Sequence, residues 1–436
     1  MKKFFAPILC SAIFIGCGGP PSAPSQNVAT PSSSNEQVLQ DLPAPTFNVY
    51  VENSGSMYGY TNSISNDFKN AVYSYLSDIQ LAELGVKDSE SFKNIMNLNY
   101  INSKVIKCES DVKDFIQRLG PASFQMQGGN MGTSDISNII KTILSAMSEN
   151  DVSILISDCI FSPGRQYGTD DDARKYIVSQ RIGIKTDIVE KLNLSKDFSV
   201  IVLRLNAQFK GRYYNRLDQW INIDNDRPYY IWLMGNRSYL KKVMDEVNIT
   251  QIKGSGVQNI YMVSKPIKSL SYGILPPPQS IGKFNLDPIN PTTTTLKTRP
   301  KKVGGNKVFQ LAVGVDFSKL LLPDEYLMNP NNYSISNKAY SVEIVKNKDS
   351  QSSYTHIVKL NLTEPIISKG TVKITLQNNM PAWVEEYTDE IGLDINAEGA
   401  MEKTYGLKYL IGGVYDAYAS NKEQENNHGV ITVNIR

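Results

Sequence analysis

The chain has 436 residues, 41% of them hydrophobic and 20% charged, with 45 Lys and Arg against 43 Asp and Glu. That length holds two or three domains, and the composition is that of ordinary globular protein with a core large enough to stand without disulfides. The near-zero net charge excludes the basic face that a nucleic-acid binder needs.

The chain opens with MKKFFAPILCSAIFIGC: two lysines, an apolar run over 4–16, then Cys17. The run is shorter than the roughly 20 residues that span a bilayer, and it has the anatomy of a secretory signal peptide. Its end, Phe14-Ile15-Gly16-Cys17, resembles a bacterial lipobox, with phenylalanine where leucine is usual. That resemblance implies a signal peptide over 1–16 and a lipid on Cys17. It also implies an envelope protein, periplasmic or surface-exposed, that meets the membrane through this N-terminal lipid. An ordinary signal peptide followed by a chance cysteine is the alternative. Loss of Lys2 and Lys3 with the signal leaves 43 acidic groups facing an equal number of basic ones. Residues 17–45 carry six prolines with many serines and asparagines. Such a segment buries too little apolar surface to fold, and as a flexible coil it is a tether spanning roughly 30 Å.

Residues 46–250 alternate between strands and helices. A strand is expected over 47–51, then a helix with Phe68, Val72, Tyr75 and Ile79 on one face. A strand or short hairpin follows over 98–108, turning near Asn102-Ser103, and a short helix over 112–119. Ile136, Ile139, Ile140, Ile143, Leu144 and Met147 form one apolar stripe, so a helix starts near Ser134. Then come a strand over 152–158, a long helix over 171–192, and strands over 199–205 and 229–233. A last helix turns Tyr239, Leu240, Val243, Met244 and Val247 inward. This alternation predicts an α/β fold: a doubly wound, mostly parallel sheet covered on both faces. Residues 251–302 are rich in proline and threonine and read as a linker with an early strand. Residues 303–436 hold short strands over 308–315, 339–345, 356–362, 371–376 and 430–435. Their period-two alternation predicts a smaller β-sandwich-like domain, with one helix inserted over 402–418.

In an open parallel sheet, ligands sit outside the carboxyl ends of the strands. Three segments are expected there: Glu52-Asn53-Ser54-Gly55-Ser56, Gly132-Thr133, and Asp158. The order ENSGSM at 52–57, MGTSDI at 131–136 and ILISD at 154–158 resembles the von Willebrand factor type A (vWA) domain and its metal-ion-dependent adhesion site, over about 200 residues. The resemblance implies hydroxyl ligands from Ser54 and Ser56. It implies Thr133 bound directly or through water, and Asp158 through water. The family's first aspartate corresponds to Glu52, one methylene longer. An all-oxygen donor set suits a hard divalent cation, Mg, Mn or Ca, rather than zinc. In the family, an acidic residue of a partner protein often completes the metal shell. The function implied is a lipid-anchored envelope protein that binds a partner protein through this cation, and not an enzyme.

Blander readings exist for each piece. Ser-Gly-Ser at a strand end is a common turn, and Thr133 can cap a helix. A structural envelope lipoprotein with a degenerate, metal-free site is therefore the alternative. A serine hydrolase is the remaining class, but the two histidines, His356 and His428, fall in the C-terminal half. Tyr58 and Tyr60 either face a partner or pack on their own loop. Asp170-Asp171-Asp172 suits a helix N-terminus better than a second cation site. The family topology puts Cys108 at the far end of the sheet from Cys159, which implies no disulfide between them.

Overall fold

A computed structural model describes residues 43–84, 93–129, 135–195, 197–249, 252–267, 269–296, 301–303, 306–364, 366, 368–394, 396–420 and 426–436. The expected signal peptide, lipidated Cys17 and Thr133 lie outside the described residues. Residues from Leu42 to Arg436 form one compact unit. Among the described residues, no helix is long and apolar enough to cross a membrane.

The fold is mixed α/β. Its first sheet has seven strands: β1 (Thr46–Glu52), β2 (Ile95–Ile101), β3 (Val105–Cys108), β4 (Asp151–Ser157), β5 (Phe198–Tyr214), β6 (Trp220–Asn236) and β7 (Val257–Ser264), in the order β3-β2-β1-β4-β6-β5-β7. The centre is parallel, with β1 between β2 and β4. β4 is buried from Val152 to Ser157, as a central strand covered on both faces requires. Alternation splits β1 cleanly: Phe47, Val49 and Val51 enter one core, and Tyr50 enters the other.

Helices cover both faces. On the first lie α1 (Tyr58–Thr61), α2 (Asp67–Leu81), α3 (Val112–Arg118), α4 (Pro121–Gln127) and α7 (Arg237–Glu246). On the second lie α5 (Ile136–Ala146) and α6 (Asp170–Leu194). The apolar stripe of α5 is buried as its spacing predicts. Asp135 caps this helix by accepting the Asn138 N–H at 3.0 Å.

The strands expected at 199–205 and 229–233 do not join the parallel set. They belong to one hairpin of two 17-residue strands, antiparallel to each other, with β6 also antiparallel to β4. Residues 206–228 contain no helix to serve as a crossover, and antiparallel neighbours need none. The turn is fixed by Asn215, whose side chain accepts from the Leu217 and Gln219 N–H groups.

The C-terminal half also differs from expectation. The segment read as a linker supplies β7 to the first sheet, then β8 (Ser271–Ile274), β9 (Phe284–Leu286) and β10 (Thr293–Leu296). β-branched threonines suit a strand, and β10 pairs in parallel with the terminal strand. After a small hairpin of β11 (Lys301–Val303) and β12 (Asn306–Val308) come β13 (Gln310–Asp316), β14 (Tyr333–Ile335), β15 (Tyr340–Lys346), β16 (His356–Leu362), β17 (Gly370–Gln377), the two-residue strands β18 (Thr388–Asp389) and β19 (Thr404–Tyr405), and, last in the chain, β20 (Asn427–Ile435). Sheets β14-β17-β20-β10-β9 and β15-β16-β13-β8 pack around one apolar cluster, a sandwich-like arrangement. The expected inserted helix does not pack there. After the short helices α8 (Asp324–Met328) and α9 (Ala382–Glu386), helix α10 (Leu407–Ala419) buries Leu407, Leu410, Ile411, Val414 and Ala417 in the second face of the first sheet, against α6. Arg181 of α6 clamps Asp416 through two hydrogen bonds of 2.7 and 2.9 Å. The sandwich is therefore not built from a continuous stretch over 303–436.

His428 is buried on β20 with its ring edge-on to Tyr326. Burial pushes its imidazole down to about 4. Between pH 6.5 and about 4 the unfolded chain holds this proton and the folded chain does not, so stability falls as pH drops through that window. The full effect is about 3 kcal/mol. Urea midpoints measured at pH 7 and pH 4.5 are expected to differ in wild type and to differ less in His428→Phe. An equal drop in both would show that other groups drive the acid loss.

Candidate cation site

The site forms where β1 and β4 end side by side. Val51 is level with Ile156, so Glu52 and Asn53 face Ser157 and Asp158 across the ladder's end. Glu52 is 0% exposed and Asp158 1%. Two carboxylates are thus withdrawn from water at a strand edge, which is costly unless polar groups or a cation compensate them.

After Glu52 the chain turns through a 3₁₀ turn at Gly55–Met57 into α1. Ser54 is buried and Ser56 half-buried, and their Oγ atoms are 2.9 Å apart. Met57 and Tyr60 fix this turn by packing into the core below it. Tyr60 donates to the Pro228 carbonyl and contacts Phe68, Phe209 and Tyr229 edge-on or tilted. Tyr58 is half-buried against Phe124. Both tyrosines therefore pack on their own protein. Gly59 is required here, because a Cβ would meet the Phe209 ring at 2.3 Å.

Asp158 leaves β4 on a tight turn. Its Oδ1 accepts the Ile160 N–H at 3.3 Å, and Cys159 adopts a left-handed φ of 56°. A left-handed non-glycine residue stores strain, which clusters at functional sites. Burial raises the Asp158 pKa, and the Ser56 hydroxyl, the Ile160 N–H and the Arg227 charge partly offset the rise. Its Oδ2 is buried and accepts no hydrogen bond among the described residues, and the same holds for Asn53 Oδ1. Asn53 is otherwise held by donation to the Phe124 carbonyl at 3.4 Å. A buried acceptor left open in this way has room for a donor, a water or a cation.

Glu52 does something the sequence did not reveal. Its Oε2 accepts a hydrogen bond from Ser157 Oγ, and Ser157 Oγ in turn accepts the Cys159 N–H at 2.7 Å. The longer glutamate thus ties the end of β1 to the end of β4. Arg227, on β6, is a second residue missed by sequence reasoning. It is 1% exposed and stacks over Tyr213, 4.4 Å from the ring centroid. No local sequence signal marks a buried arginine in the polar run Asp224-Asn225-Asp226-Arg227.

The structure thus brings Glu52, Ser54, Ser56 and Asp158 to one edge. The donors present are hydroxyl and carboxylate oxygens, which fit a hard cation. Among the described residues, no cluster of three or more His, Cys, Asp or Glu side chains could hold a metal, at this edge or elsewhere, so any cation here would rest on hydroxyls beside the carboxylates. The acids at Asp170–Asp172 serve the start of α6: Asp172 N–H is capped by Thr169, Asp171 pairs with Lys175, and Asp170 pairs with Arg216. Cys108 and Cys159 are both free thiols, and burial pushes the Cys159 pKa up. His356 lies beside Thr355 and Asp324, and His428 beside Tyr326, so neither forms a relay with Ser54 or Ser56. No family model, curated protein or solved structure matches this chain.

Proposed function

We propose that this chain is a lipid-anchored envelope protein that binds a partner protein through a divalent cation held by a vWA-like domain. The observation that carries the reading is the convergence of Ser54, Ser56 and Asp158 at the carboxyl edge of parallel β1 and β4, with Asp158 Oδ2 buried and without a hydrogen-bond partner among the described residues. Ser54 and Ser56 would supply hydroxyl oxygens, and Asp158 a carboxylate. Glu52 acts behind them by fixing Ser157 and the Asp158 turn. The cation itself supplies positive charge that an acidic side chain of a partner can complete. Helices on both faces, an apolar β1 and β4, and the ENSGS and ISD segments at the strand ends support the vWA-like reading. The lipid anchor rests on the Phe14–Cys17 segment alone.

The metal-free alternative has its own support. Glu52 is already engaged by Ser157, and Arg227 places a buried positive charge close enough to act on Asp158.

The test uses the full-length protein in its native membranes. Crosslinking with Mg²⁺ present is expected to capture a partner that disappears with chelator. Capture that is indifferent to chelator would contradict a cation-mediated contact. In the same preparation, Cys17→Ser is expected to move the protein to the soluble fraction. A variant that stays with the membrane would contradict the lipid anchor.

A further inference from the structure

Strand β6 runs past the end of β4. Tyr230 pairs with Ser157, so Pro228 and Arg227 continue beside the chain that carries Asp158 and the turn after it. The Arg227 guanidinium is enclosed by the Tyr213 ring and by the Lys403 carbonyl, which accepts from Nη2 at 3.4 Å. Its Nη1 is buried with no hydrogen-bond partner among the described residues. Arg181, Arg216 and Arg237 are each paired with an aspartate within 2.7 Å. Among the described residues, Arg227 has no such contact. A buried guanidinium without direct pairing is costly, and carboxylates a short distance away are what compensate it. Asp158, buried where β4 ends beside this stretch of β6, is near enough for the Arg227 charge to act on it.

We propose that Arg227 is a fixed counter-charge of the candidate cation site and sets its affinity. The inference rests on the cation reading above. Without metal, Arg227 balances part of the charge of Asp158, so the site holds together empty. With metal, the same charge repels the incoming ion. The site therefore takes a divalent cation weakly, and an anionic group from a partner strengthens the binding.

The physical expectation is sizeable, because a unit charge inside protein acts on a divalent ion far more strongly than in water. Manganese affinity would be measured by electron paramagnetic resonance on wild type, Arg227→Met, Arg227→Gln and Arg227→Lys. The neutral variants are expected to bind Mn²⁺ at least tenfold more tightly, and the lysine variant within threefold of wild type. A merely structural role would not be rescued by lysine in this readout. Neutral variants that bind within threefold of wild type would overturn the proposal, with the cation reading left standing. No binding by any of the four proteins at millimolar Mn²⁺ would remove the cation reading and this inference with it. Circular dichroism checks folding. Neutral variants that fold only with Mn²⁺, beside a lysine variant that folds without it, would support the counter-charge. Unfolding that Mn²⁺ does not rescue would make Arg227 a structural anchor and overturn it.

Discussion

A fragment ending before helix α10, for example residues 43–302, is expected to fail to fold cooperatively. Residues Leu407, Leu410, Ile411, Val414 and Ala417 are fully or almost fully buried, and they close the second face of the first sheet. Without them, an apolar surface under α6 faces water, at roughly 25 cal/mol for each Å² exposed. The contact is close at Gly413, where a Cβ would meet the Arg181 carbonyl at 2.8 Å and Ile184 at 2.9 Å. In the full chain, Leu410→Ala is expected to cost about 2–5 kcal/mol. Chemical denaturation followed by tryptophan fluorescence checks both, since Trp232 lies in the same core. A fragment with a sharp transition at the wild-type midpoint would show that the C-terminal half is dispensable.

Asp158→Asn is expected to move two quantities in opposite directions. Burial holds the folded-state pKa of Asp158 above its ordinary value. The folded state therefore prefers the protonated acid, and at neutral pH the ionised carboxylate works against folding. Removing that charge should stabilise the metal-free protein, by on the order of 1 kcal/mol. The same change should abolish the rise in Tm that Mg²⁺ or Mn²⁺ gives to wild type. A site kept for function shows this opposition, because its charge is costly to the fold alone. Differential scanning fluorimetry with and without the ions reads both terms. A destabilised variant with an unchanged ion response would assign Asp158 a structural part only.

Much of this was legible in the sequence because it is local. The apolar runs at 47–51 and 152–157 and the stripe from Ile136 to Met147 announce their own elements. The side chains that follow those strands then fall at one edge by topology. What stayed hidden depends on partners distant in sequence. The hairpin arms over 206–228 are polar and lack a two-residue glycine turn, so their length does not show. Helix α10 is apolar nearly all round, which says that it is buried, but not against which sheet. The Glu52–Ser157 bond joins residues 105 positions apart, and Arg227, whose charge acts on Asp158, lies on a third strand. Neither leaves a trace in spacing. Glu52 thus has a physical use that its neighbours in sequence do not announce: its carboxylate holds the neighbouring strand.

If Ser54, Ser56 and Asp158 hold a divalent cation as proposed, titration of Mn²⁺ into residues 43–436, with the free-ion resonance signal as readout, shows it most directly. One saturable site is expected, weak in wild type and lost in Asp158→Ala and in the Ser54→Ala, Ser56→Ala double variant. A free-ion signal that grows in strict proportion to added Mn²⁺, or a bound fraction that survives in both variants, would contradict it.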